Sequence, residues 1–127
     1  MFIKILIIGL GGFLGTIARF LISKVIQEQT SSAFPWHTFA VNIIGSFIIG
    51  IIIAASFKNP GMNPTLKSFL AIGFCGGFTT FSTFALENQY LLATQQYITL
   101  ALYILLSIIT GILAVFLGMI LIRQIYL

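Results

Sequence analysis

Residues 76–84, Gly76-Gly77-Phe78-Thr79-Thr80-Phe81-Ser82-Thr83-Phe84, place four hydroxyls and two adjacent glycines inside an otherwise apolar run long enough to cross a membrane. In hydrocarbon every backbone N–H and C=O needs an internal partner, and interruptions of a helix survive there only when buried in protein or lining a watery cavity. Paired glycines weaken a helix. The stretch therefore reads as a broken membrane helix beside a polar pathway.

The rest of the chain supports that setting. Of 127 residues 59% are apolar and only 6% are charged, and the mean hydropathy is +1.14, against roughly 45–50% apolar and about 25% charged in globular domains. A span needs about 20 residues, so the chain is expected to be an all-α integral membrane protein with four transmembrane helices and a break in the third. Apolar runs place the spans from about Ile5 to Ile22, Thr38 to Phe57, Lys67 to about Tyr90 and Tyr97 to about Ile122. Asn59-Pro60-Gly61, Asn63-Pro64 and the polar run from Gln27 to Ser32 punctuate them. Residues 1–127 are expected to form a single four-helix transmembrane domain without a separate soluble domain, and no nucleic-acid partner is expected. Lys4 before an apolar run resembles the start of a signal peptide, but Arg19 and a ladder of glycines suit a packed helix better.

Four spans put both termini on one side. Lys4, Lys58, Lys67 and Arg123 share that side against Lys24 and Arg19 on the other, which leans toward cytoplasmic termini while leaving dual insertion open. The lone Cys75 reads as a small buried apolar residue. Gly11 and Gly15, Ser46 and Gly50, Gly73 and Gly77, and Ala114 and Gly118 are each four apart, a spacing that lets helix backbones approach within one chain or between two. A bundle of four spans has little interior, so at least a dimer is expected.

Polar residues in the spans fall into stripes. Asn42, Ser46 and Gly50 step by four, while Thr99, Tyr103, Ser107, Thr110 or Gly111, Ala114 and Gly118 recur at three or four. Membrane serines and threonines commonly bond their own carbonyl at i−4, but the amide of Asn42 has capacities its own helix cannot meet. Phe78, Phe81 and Phe84, three apart, are expected on one broad face, with Thr80 and Thr83 beside them and Glu87 a turn further on. The positive edges of phenyl rings, set beside hydroxyl and amide donors, suit an anion. Arg19 and Glu87 are the ionisable residues near or inside the spans, and such residues are functional candidates by default. His37, beside Pro35 and Trp36, reads as interfacial.

Three stretches carry a family resemblance: Gly11-Gly12-Phe13-Leu14-Gly15 with Arg19, Thr38-Phe39-Ala40-Val41-Asn42, and above all Gly73-Phe74-Cys75-Gly76-Gly77-Phe78-Thr79-Thr80-Phe81-Ser82-Thr83-Phe84. Together they resemble the Fluc (CrcB) family of fluoride channels over essentially the whole chain. The resemblance implies an antiparallel, dual-topology dimer in the inner (plasma) membrane, formed with a second copy or a homologous partner chain and embedded in membrane lipid. It implies two fluoride pores and a structural sodium ion (Na+) at the dimer interface, held by backbone carbonyls of Gly76 and Thr79. Phe81 and Phe84 would turn ring edges to fluoride, Asn42, Ser82, Thr83 and Ser107 would supply donors, Tyr103 would continue the polar track, and Arg19 and Glu87 would lie at the vestibule. The helix break would be made by the glycines. His37, where many relatives carry glycine, and Gly111, where some carry serine, depart from the family pattern. The expected process is passive transport and not an enzymatic reaction. A four-span proton-coupled multidrug or guanidinium exporter is the alternative, although it calls for a central membrane carboxylate.

Overall fold

The computed structural model describes residues 1–125 and consists of helices joined by short turns. Helix α1 (Phe2–Gln29) and α2 (Trp36–Lys58) form the first two spans. The third, Pro64–Ala93, is composite: α3 (Pro64–Ser68), a wide π-helical turn over Phe69–Phe74, α4 (Cys75–Phe78), and α5 (Phe81–Ala93) beyond a two-residue gap. Helix α6 (Tyr97–Ile125) is the fourth span. All four spans are long and apolar enough to cross a membrane.

Local chemistry accounts for the boundaries. Pro64 occupies the first helical turn, where its missing N–H costs nothing, and the Asn63 side chain accepts the Thr65 N–H at 2.8 Å. Helix α5 ends in a turn closed by Gln96 N–H to the Leu91 carbonyl at 2.9 Å, with Gln95 in the left-handed region at φ 58°. Helices outrun the expected spans at several ends: α1 continues through Ser23, Lys24 and Gln27 to Gln29. Polar side chains at the membrane boundary do not interrupt backbone hydrogen bonding, so hydropathy marks the lipid edge and not the helix end.

The small-residue faces pack within the chain. A methyl group on Gly15 would run into the carbonyl of Phe74, and one on Gly77 into that of Gly12. On Gly73 it would stand 2.5 Å from the Ile8 carbonyl. These contacts seat α1 against the first half of the third span. Gly50 and Gly118 do the same for α2 and α6, where added methyls would strike the carbonyls of Val115 and Phe47. The third span changes partners along its length. Its first half packs on α1 and α2, whereas α5 packs on α6. Thr38, Val41, Leu91 and Tyr103 are the largest fully buried side chains, and beside them Phe34 packs on Trp36, Phe39 and Tyr103 with ring centroids 4.4, 5.5 and 5.2 Å away.

Candidate functional site

The gap in the third span is held open by a side chain from the second. Thr79 and Thr80 are extended, with φ/ψ of −86°/159° and −150°/122°. The Asn42 amide takes both backbone groups of Thr80: Nδ2 donates to its carbonyl at 3.1 Å, and Oδ1 accepts its N–H at 2.8 Å. The Thr80 hydroxyl then caps α5, accepting the Thr83 N–H at 3.2 Å and donating to the Thr83 hydroxyl at 3.1 Å. In an unbroken helix those two N–H groups would go to the carbonyls of Gly76 and Thr79. Both carbonyls are thereby released from helical bonding. Arg19 Nη1 approaches the Thr79 carbonyl at 3.4 Å, a long contact that leaves room for a second partner.

This corrects the expectation that the glycines make the break. Gly76 and Gly77 remain helical in α4. Gly77 serves close packing against α1, Gly76 faces open space, and the interruption lies just beyond them. The gap also separates the three phenylalanines. Phe78 is 2% exposed and stacks on Phe74 at 5.7 Å and 10°, whereas Phe81, across the break, is 79% exposed. The single face expected for Phe78, Phe81 and Phe84 does not form, because the chain is not helical between the first and the second.

A cavity of about 400 Å³ lies against the break, lined by Asn42, Ser46, Thr80, Phe81, Phe84 and Ser107 among others. The rings of Phe81 and Phe84 are 5.8 Å apart and inclined at 40°. Ser107 Oγ is buried and has no hydrogen-bond partner among the described residues, and Asn42 uses one of its two amide hydrogens on Thr80. The cavity thus offers unspent donors and ring surface together. Gly76 and Thr79 line it as well.

The remaining expected residues lie around it. Ser82 is exposed, its hydroxyl 3.4 Å from that of Thr80. Thr83 and Arg19 line a neighbouring cavity of about 380 Å³ that also contains Thr16, Lys24, His37 and Thr38. Thr80 borders both cavities. Tyr103 is fully buried and lies outside the lining of the first cavity; its ring packs 4.9 Å from that of Phe84 and its hydroxyl donates to Glu87 Oε2 at 2.7 Å. Glu87 Oε1 accepts from Thr38 Oγ1 at 2.6 Å and lies 2.9 Å from His37 Nε2. Thr38 and His37 are the partners that sequence reasoning missed. Thr38 stands four residues before Asn42 on the same stripe, which could have found it, whereas nothing local links His37 to a carboxylate on a distant span.

Residues 6–119 match the family described as CrcB-like protein, Camphor Resistance (CrcB). A fluoride-specific ion channel FluC of Azobacteroides pseudotrichonymphae is 48% identical over 93% of this chain and 94% of its own length. Proteins of the same name from Gloeothece citriformis and Chlorobium chlorochromatii are 43% and 42% identical, over 96% and 91% of this chain and 98% and 89% of theirs. Similarity at this level, running from the first span into the fourth, makes the chain a member of the CrcB-like family.

Proposed function

We propose that the chain is the protomer of a fluoride-selective channel that lets cytoplasmic fluoride leave passively and so relieves fluoride toxicity. The observation that carries this reading is a cavity pairing two phenyl rings with an unpartnered hydroxyl at a helix break, in a chain whose relatives are named fluoride-specific ion channels. Fluoride is small and strongly hydrated. Stripping its water is costly unless each lost hydrogen bond is replaced. Asn42, Ser107 and the hydroxyls of Ser82 and Thr83 are the replacing donors, and the edges of Phe81 and Phe84 add weaker attraction for negative charge. Several modest sites in series let an ion enter and leave again.

The channel is an antiparallel dimer of this chain, or of this chain and a homologous partner, in the plasma membrane. Phe81 and Ser82 stand exposed and Gly76 has open space beside it, so a second protomer is the natural wall for a cavity that one chain leaves incomplete. The same face suits the structural sodium ion. Carbonyls of Gly76 and Thr79 are freed when Asn42 and Thr80 capture the N–H groups that would have bonded them, and uncharged oxygen donors are the chemistry a hard monovalent cation takes. When bound, the ion supplies fixed positive charge and holds the break rigid.

The test is ion release from liposomes containing the purified protein alone, loaded with fluoride or chloride and short-circuited by a potassium ionophore. Rapid release of fluoride with chloride retained is expected. Retention of fluoride by well-folded protein, even after a homologous partner chain is added, overturns the reading.

A further inference from the structure

His37 stands at the start of α2 and lines two cavities at once. One, of about 500 Å³, contains Glu87 and Tyr90 from α5; the other, of about 380 Å³, contains Arg19 and Lys24 from α1. Its Nε2 lies 2.9 Å from Glu87 Oε1, with 21% and 16% of the two side chains exposed, so the pair is shielded yet within reach of water. The other partners of the carboxylate are the neutral hydroxyls of Thr38 and, from α6, Tyr103. Arg19 and Lys24 face His37 from α1 as cations. An imidazole, by contrast, normally changes charge between about pH 5 and pH 8. The contact to Glu87 uses Nε2, and the other proton site of an imidazole is Nδ1, so the pair's geometry does not depend on which charge the ring carries.

We propose that His37, beside Glu87 and in the cavity that meets the ring-lined one at Thr80, sets the charge at the entrance to that cavity and thereby makes anion conduction through this protein depend on pH. The inference rests on the channel reading given above. With the imidazole neutral, the Glu87 carboxylate offsets part of the positive charge that Arg19 and Lys24 bring to the same region. With the imidazole protonated, the Glu87 charge is balanced within its own pair and the region is more positive by one unit. One unit charge in a hydrated mouth changes local anion concentration by about threefold.

The test is fluoride current across planar bilayers containing the full-length protein, at low ionic strength and at about pH 6 and about pH 8. Neutral hydrogen fluoride carries no charge and adds nothing to such a current. The wild-type current is expected to be about threefold larger at the lower pH, with the ratio shrinking as impermeant salt is added. His37→Gln is expected to abolish the ratio, and His37→Lys to hold the larger current at both pH values. A wild-type current indifferent to pH, or a wild-type ratio retained in either variant, overturns the inference while leaving the channel reading intact. Absence of current under every condition, with a homologous partner chain added as well, overturns both.

Discussion

Asn42 performs two tasks with one amide, and this division explains why an asparagine is required there. Its carbonyl and one N–H satisfy the backbone of Thr80, while the second N–H remains available to the cavity it lines. Leucine would fill the volume and leave two backbone groups of the break unsatisfied. Aspartate is more damaging, because its carboxylate would face the Thr80 carbonyl and set negative charge on the anion path. Losing a buried donor of this kind costs about 1–3 kcal/mol, so Asn42→Asp is expected to lower fluoride release from liposomes by about ten- to a hundredfold. Release at the wild-type rate from this variant would remove Asn42 from the pathway. The need for a partner from another helix was legible in the sequence, since no neighbour on α2 could meet it. The identity of that partner was not, because Thr80 belongs to a different span and is exposed to Asn42 only after the bundle closes.

At the scale of elements, number and order of spans follow from composition, and the small residues at four-residue spacing mark real contact faces. Two features escaped the sequence because tertiary contacts decide them. The π-helical turn at Phe69–Phe74 has no composition of its own; its backbone lies against Gly11 and Gly15 of α1. The position of the break was misplaced because glycine weakness is a local property, whereas the capture of the Thr80 N–H is made by another helix. Spacing alone likewise could not tell contacts within a chain from contacts between chains. The structure spends Gly50 and Gly118 on the seam between α2 and α6. Gly50→Leu would push a side chain into the α6 backbone at Val115, and overpacking of that kind costs about 1–3 kcal/mol. A lowered melting temperature in detergent is expected for Gly50→Leu. Gly9→Leu, with nothing within 4 Å of its added Cβ, is expected to melt like the wild type. Equal melting of all three proteins would show that the seam tolerates separation.

For the whole molecule, exposed leucines, isoleucines and phenylalanines around the bundle meet lipid without penalty and say little about assembly, since hydrocarbon is as apolar as they are. The informative surface is the polar strip at the break, where Gly76, Phe81 and Ser82 are exposed. Gly76 separates the folding of one chain from the pairing of two. It has no positive φ and nothing within 4 Å of where a Cβ would stand, so a larger residue fits within the protomer. In the proposed antiparallel dimer that same residue would crowd the carbonyls that hold sodium and the partner facing them. Gly76→Val is therefore expected to leave helicity and yield unchanged while shifting the detergent-solubilised protein from dimer to monomer and abolishing fluoride release. Light-scattering mass during size-exclusion chromatography distinguishes the two states. A dimer that persists with release unimpaired would place the subunit interface away from the break, and with it the sodium site, because no contact among the described residues opposes the substitution.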